Sequence, residues 1–578
     1  MDSQNTCALP QNYDEKSIMK TKPSQLTIVM AQLNFVVGDI QNNAEKIIAA
    51  SIQARDELKA DMIVFPELAL TSYPPEDLLF CEGLYEQVNS ALKKIKEEIK
   101  NIAVIVGLPV RKQENRIYNK AICFYNGSIL ADYAKQQLPN YHVFDEKRYF
   151  TRAHQSCVFE FRGVYIGLLI CEDLWYSGPI FAAKKMGAEL IISINASPFN
   201  QKQSETRQNL LAARAHQTQL PIIYCNLIGG QDELVFDGGS MAMNAHSKLA
   251  VTSPYFKESL TPVVCKKNNE NKIIIHSQPL LEPLTRLEKI YQALVLGTRD
   301  YLMKNNFKGA LLGLSGGIDS ALVLTIAADA VGAENVTAVI MPSRYTASIS
   351  IEDALKQAKT LGVECLTLSI ECAFEAFLKT LKPIWGDKKP NIIEENIQAR
   401  IRGILLMALS NHTGKMVLTT SNKSESAVGY TTLYGDMCGG LSVIKDVNKN
   451  LVYELARYRN AISLSAIQQS QKAKDEGSII PERVFTRAPS AELRENQTDQ
   501  DSLPPYDILD EIIKLYVEKD ESIAAMVKKG FDETTVKRIA RLIHLNEYKR
   551  RQSAPCIRIT ERAFGKDRRY PITSRYNK

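Results

Sequence analysis

A chain of 578 residues with 45% hydrophobic and 24% charged side chains is globular, and by length it divides into about two to four domains. Its 71 Lys and Arg against 65 Asp and Glu leave a net charge of +6, too mild an excess over this length to imply a nucleic-acid partner. Eleven scattered cysteines without a CxxC pair exclude a disulfide framework or zinc ribbon; with no apolar run near the ~20 residues of a membrane helix and no signal-peptide core, a cytoplasmic protein without a membrane partner is expected.

Residues 1–25 read as a polar extension, and a first domain is expected over 26–265. In it, apolar runs at 26–32 (LTIVMAQ), 62–67 (MIVFPE), 102–109 (IAVIVGLP), 164–173 (VYIGLLICED) and 190–197 (LIISINAS) alternate with amphipathic stretches such as 41–59. Short apolar runs separated by helical patterns predict buried strands in an α/β domain. Polar sequence at 266–286, including KKNNENK, reads as a linker. A second domain is expected over 287–578, opening on a helix near Leu287. The runs ALLGLSGG, NVTAVIMP and VECLTLSI then predict a doubly wound parallel sheet. The end of the chain, from Asn546, is basic and irregular.

Glu67, Lys135 and Cys171 each end or closely follow an apolar run, and reactive groups gather where parallel strands end. A carboxylate can take a thiol proton, the thiolate is a competent nucleophile, and an ammonium can stabilise the oxyanion of an attacked amide. Taken singly, such residues are more often core or solvated surface. FPEL, KQQLPNY and ICEDLW, in that order, resemble the nitrilase superfamily, which implies an α-β-β-α sandwich with Glu67 as general base, Lys135 as oxyanion stabiliser and Cys171 as nucleophile. KQQLPNYHVFDEKRYF is further similar to the glutaminase domains fused to NAD synthetases, which implies glutamine contacts at Tyr141 and Ser197. That family pattern continues SPF with Gly-Lys, where this chain has Lys202-Gln203, so Gln203 stands as the third candidate.

SGGIDS at 315–320 lies between an apolar strand and a helix, where glycines expose consecutive N–H groups suited to phosphate. It is neither a Walker A loop nor a dinucleotide fingerprint. It resembles the pyrophosphatase loop of adenylate-forming ligases, which implies ATP binding by Gly313, Leu314, Ser315, Gly316, Gly317, Ile318, Asp319 and Ser320. EENIQARIRG, TTSNKSESAVGYTTLYGDMCGG, PSAELRENQTDQDSLPPYDILD, EYKRRQ and FGKDRRYPI resemble NAD synthetases. By that match Thr420 contacts ATP; Asn396, Glu425, Tyr430, Asp436 and Lys549 serve deamido-NAD; and Asp319 with Glu425 holds Mg²⁺. The basic end is then expected to pack and to meet substrate phosphates rather than nucleic acid.

The resemblances imply a ligase that amidates deamido-NAD to NAD through an adenylate, with ammonia released from glutamine, in a homo-oligomer. Other glutamine-dependent ligases fit poorly, since position 2 is Asp2 rather than Cys and no GxCxG surrounds Cys171. An ammonia-only synthetase with an inactive amidase and a nucleotide-sensing protein without turnover stay open at this point.

Overall fold

All seven residues of the first apolar run, Leu26–Gln32, are buried, because both faces of that strand are covered. Ile28 and Met30 point into a core shared with a second sheet, while Val29 and Ala31 pack under helices. A strand buried on two sides reads as a continuous apolar run instead of an alternating one. The computed structural model describes residues 25–112, 116–386, 391–469 and 478–576; residues 1–24 of the polar extension lie outside them.

The first domain runs β1 (Leu26–Gln32), α1 (Ile40–Asp56), β2 (Met62–Val64), α2 (Glu82–Glu98), β3 (Ala103–Arg111), β4 (Ile117–Tyr125), β5 (Ser128–Ala134), α3 (Glu146–Tyr149), β6 (Val158–Phe161), β7 (Val164–Ile170), α4 (Ser177–Lys185), β8 (Leu190–Asn195), α5 (Gln203–Thr218) and β9 (Ile222–Asn226). It continues with β10 (Ile228–Gln231), β11 (Leu234–Asp237), β12 (Met241–Met243), β13 (Leu249–Thr252), β14 (Ser259–Lys267) and β15 (Ile273–Ile275). One sheet has the order β15-β14-β1-β2-β3-β4-β5 and the other β13-β12-β9-β8-β7-β6. They face each other across the shared core, with α1 and α2 on the outside of one and α4 and α5 on the outside of the other. This is the α-β-β-α sandwich.

The stretch read as a linker from residue 266 differs in the structure. β14 runs to Lys267, and β15 pairs back on it through Cys265↔Ile275 to Lys267↔Ile273. KKNNENK forms the turn of that hairpin: Asn268 N donates to the Lys272 carbonyl, the Asn268 side chain accepts from Lys272 N, and Asn271 adopts φ 60°. Asparagine tolerates that left-handed conformation, which is why a turn here reads as polar, irregular sequence.

The second domain comprises α6 (Arg286–Lys304), β16 (Ala310–Gly313), α7 (Ile318–Val331), β17 (Val336–Ile340), α8 (Ser348–Leu361), β18 (Glu364–Thr367), α9 (Glu371–Trp385), α10 (Ile392–Thr413), β19 (Met416–Thr419), α11 (Lys423–Val428), β20 (Leu441–Ser442), α12 (Lys449–Gln469), α13 (Glu482–Thr486), α14 (Tyr506–Ile513), α15 (Ile523–Lys528), α16 (Glu533–Leu545) and α17 (Glu547–Gln552). Its sheet has the order β18-β17-β16-β19-β20 with all pairs parallel. The order reverses between β16 and β19, so a crevice opens beyond their carboxyl ends, where ligands of doubly wound sheets bind.

α6 fastens the two domains. Asp300 accepts from Gly230 N at 2.7 Å and Asn34 Nδ2 at 2.6 Å, and Lys304 Nζ donates to Phe35 O and Gly230 O. A side chain at Gly230 would lie 3.1 Å from Gly297 Cα, so glycine permits this close approach of hairpin and helix. The basic end of the chain is also spent on packing. Arg550 pairs with Glu547, Arg558 with Asp567, Lys566 with Glu76 and Arg569 with Asp145, the last two reaching loops of the first domain.

Candidate active sites

β2 ends at Val64, and the next three residues carry Glu67 to the carboxyl edge of the sheet. Glu67 Oε1 accepts from Lys135 Nζ and Asn119 Nδ2, each at 2.7 Å, and Oε2 accepts from Ala196 N at 3.1 Å. Lys135 follows β5, is 1% exposed, and also donates to Glu146 Oε1 at 2.7 Å. Burial opposes its charge, but Glu146 and Glu67 outweigh burial and hold its pKa well above the ordinary value. Lys135 is therefore a fixed ammonium. Glu146 accepts from Tyr73 Oη at 2.9 Å, while its Oε2 is buried without a partner among the described residues. Burial, with Glu67 nearby, pushes the Glu146 carboxyl upward against the pull of Lys135.

Cys171 follows β7 directly and opens a 3₁₀ turn with φ 43°. A left-handed residue with a side chain costs on the order of 1–3 kcal/mol and persists only where its surroundings enforce it. Asp173 supplies that enforcement. Its carboxylate accepts from Ile170 N at 3.1 Å, Gln137 N at 2.8 Å and Tyr133 Oη at 2.7 Å, tying the cysteine turn to the loop carrying Lys135. Burial, and then Glu67, push the Cys171 thiol well above its ordinary pKa, while Lys135 pulls it down. The surroundings therefore favour the thiol over the thiolate.

The three glutamine-contact candidates lie around this centre. Tyr141 Oη donates to both oxygens of Glu172, at 3.1 and 3.0 Å, and Glu172 adjoins Cys171. Ser197 follows β8, and its hydroxyl accepts from Gln203 Nε2 at 3.4 Å. Beneath them the buried Arg207–Asp237 pair donates to the Ser197 carbonyl at 3.3 Å. Lys202 is turned outward to Glu561 at 2.9 Å.

In the second domain a cleft of about 400 Å³ opens at the switch point. Gly313, Leu314, Ser315, Gly317, Thr420, Asn396, Tyr430, Asp436 and Lys549 all line it. An adjoining cavity is lined by Ile318, Asp319, Ser320 and Glu425. Gly316 is buried away from both, at φ 78°, and a Cβ there would meet Ser350 O at 2.3 Å. Only glycine allows the loop to lie this close to α8.

Asn396 Oδ1 accepts from Thr432 Oγ1 at 2.8 Å, and Lys549 Nζ donates to Gly429 O and Thr431 O. Asp436 accepts from Thr432 N at 2.6 Å, and burial pushes its carboxyl up to about 6. Glu425 has two tasks. It completes a capping box with Asn422 at the start of α11, and it meets Lys449 Nζ at 3.4 Å. Lys449 also pairs with Asp319. Burial raises the Glu425 carboxyl, as do Asp319 and Asp499, because one ammonium serves several carboxylates. Hard oxygen donors in excess of local positive charge fit a divalent cation such as Mg²⁺.

Four residues beside these centres escaped the sequence reading: Glu146, Glu172, Asp173 and Lys449. Glu146 stood in FDEKRYF, where charged neighbours disguise a buried side chain; Glu172 and Asp173 directly follow the cysteine. Lys449 opens α12 in KDVNKN, with no local signal of its long-range partners.

The carbon-nitrogen hydrolase family matches residues 27–266, and the NAD synthase family matches residues 290–553. A glutamine-dependent NAD(+) synthetase of Acinetobacter baylyi is 45% identical over 547 residues, covering 95% of this chain and 98% of its own length. The chain belongs to the glutamine-dependent NAD(+) synthetases. The synthetase of Thermotoga maritima is 41% identical over 583 residues, covering 96% of this chain and 99% of its own. In three dimensions, the Acinetobacter baumannii synthetase, solved with ADP, superposes with a TM-score of 0.76 at 42% identity and covers 95% of this chain and 98% of its own. These alignments run through both domains, so this synthetase carries its glutaminase and its ligase on one polypeptide.

Proposed function

We propose that Glu67, Lys135 and Cys171 release ammonia from glutamine, and that the switch-point cleft spends it on deamido-NAD. The observation that carries this reading is the buried Lys135 ammonium, held at 2.7 Å from both Glu67 and Glu146 beside the strained Cys171 turn. Glu67 takes the thiol proton as Sγ attacks the amide carbon, and the oxyanion forms against Lys135. Collapse expels ammonia with a proton returned from Glu67, and water then cleaves the thioester to glutamate. Tyr141 with Glu172, and Ser197 with Gln203, receive the polar ends of glutamine. Glu172 is the group suited to the α-ammonium.

In the second domain the nicotinate carboxylate of deamido-NAD attacks the α-phosphorus of ATP, and pyrophosphate leaves. Ammonia attacks the resulting acyl adenylate, AMP departs, and the nicotinamide of NAD is formed. The SGGIDS loop and Thr420 hold ATP, while Asn396, Tyr430, Asp436 and Lys549 hold deamido-NAD. Asp319 and Glu425 would hold Mg²⁺, which supplies charge neutralisation at the phosphates when bound. Ammonium has no lone pair, so a sheltered path between the sites keeps the nitrogen reactive.

We also place the enzyme in a homo-oligomer. α9 and α10 expose Phe377, Ile384, Ile392, Ile404 and Met407, apolar side chains that a second copy would cover. Cysteines such as Cys123, Cys171, Cys225 and Cys265 are free thiols, which supports a cytoplasmic setting.

The acceptor is tested with purified enzyme, ATP, Mg²⁺ and glutamine. AMP, pyrophosphate and NAD should appear only when deamido-NAD is added. Equal AMP release with xanthylate or aspartate would move the chain to another ligase class.

A further inference from the structure

Adenylation expels pyrophosphate, a leaving group of several negative charges, from the cavity beside the SGGIDS loop. Two basic side chains line that cavity, Lys449 and Arg487. Lys449 is already engaged by Asp319 and Glu425. Four carboxylates, those of Asp319, Glu425, Asp436 and Asp499, line the same space, so its fixed charge is unfavourable to a polyanion.

Arg487 stands at the end of α13 and borders both the cleft and this cavity. Its Nη2 donates to Gly316 O at 3.0 Å and its Nη1 to Ser350 Oγ at 2.6 Å. Glu492 is its carboxylate neighbour, at 3.6 Å, and the side chain is 29% exposed. Two N–H groups of the guanidinium are thus used, and the remaining three have no partner among the described residues. The contact with Gly316 O fixes the head group at the SGGIDS loop. A planar fork with spare donors and a charge that cannot be lost is suited to a polyphosphate.

We propose that Arg487 is a catalytic residue of the ligase, binding the β- and γ-phosphates of ATP and stabilising pyrophosphate as it departs. When the nicotinate oxygen bonds to the α-phosphorus, the bond from that phosphorus to the bridging oxygen breaks, and its electron pair goes to that oxygen. The charge gained there lies within reach of Arg487, and no proton moves. The Gly316 and Ser350 contacts hold the guanidinium ready before ATP arrives, so no reorganisation is required during the step.

The test is deamido-NAD-dependent exchange of labelled pyrophosphate into ATP, measured on the full chain with Mg²⁺ present. Arg487→Met should lower ammonium-driven NAD synthesis about 100-fold, as loss of one preorganised donor does elsewhere. It should also raise the pyrophosphate concentration giving half-maximal exchange at least about tenfold, while the half-saturating deamido-NAD changes less than about threefold. Arg487→Lys should recover part of the loss, since charge remains and the fork does not. Glutaminase turnover should stay at the parent level. Ser350→Ala removes a latch and no charge, and should move exchange less than about threefold. An unchanged pyrophosphate dependence in Arg487→Met would overturn the assignment. So would an equal loss in Ser350→Ala, because the arginine would then serve only to fasten the loop.

Discussion

Replacing Arg207 with methionine removes the guanidinium that lies beneath the proposed glutamine contact Ser197. Arg207 and Asp237 are each 1% exposed, and Asp237 has no other side-chain donor among the described residues. Truncating one partner of such a pair leaves an uncompensated buried charge and costs about 3–5 kcal/mol. Against the roughly 5–15 kcal/mol that holds a domain together, the variant still folds. At roughly 2–4 °C per kcal/mol for a domain of this size, the first thermal transition should fall by about 10 °C. The Ser197 carbonyl also loses its charged donor, so the KM for glutamine should rise about tenfold, in line with one hydrogen bond to a charged group. Scanning calorimetry and initial rates at 25 °C read the two effects. Arg207→Met/Asp237→Leu removes both charges and should recover most of the stability, since buried pairs exchange for apolar ones at little net cost. Its KM should stay high. A transition lowered by less than about 2 °C in the single variant, or a KM restored in the double one, would refute the reasoning.

Glutaminase turnover should fall as pH drops through about 6, where the buried Asp173 carboxyl titrates and no longer accepts as a carboxylate from both Ile170 N and Gln137 N around the Cys171 turn. The stability term has the opposite sign: because burial raises this pKa, stability from Asp173 is present below the unfolded value and is lost as pH rises through about 6. A pH profile of glutaminase turnover that is flat between 5 and 7 would contradict this role (roughly one unit either side of the midpoint). Asp319→Asn and Glu425→Gln should each lower NAD synthesis about 100-fold with either nitrogen source and spare glutaminase turnover; undiminished synthesis in both would remove them from the ATP site.

The strands that carry Glu67, Cys171 and the SGGIDS loop were legible because burial on both faces makes them unbroken apolar runs ended by polar residues. Cys171 was picked out by its flanking motif; its φ of 43° was not legible, since residues 133–137, from another part of the chain, hold the turn through Asp173. Glu146 and Lys449 were missed for a related reason. Their neighbours in sequence are charged and ordinary, and only partners such as Lys135 and Asp319 reveal their burial. The Asn-rich run at 268–271 misled because a hairpin turn and a linker share a composition. The basic end was expected to pack, but Glu76 and Asp145 of the first domain are not identifiable from sequence as its partners.

One chain is proposed to house two separable chemistries joined by ammonia, and Cys171→Ala separates them. Cys171 alone is proposed to bond covalently to glutamine, and the cleft proposed for ATP lies in the other domain. NAD formation is measured with glutamine and, separately, with high ammonium salt, with circular dichroism recorded on the same sample. The variant should form no NAD from glutamine and keep most of the parental rate with ammonium, on an unchanged spectrum. Glutamine use at the parental rate would contradict it, and so would a parent enzyme that never uses glutamine.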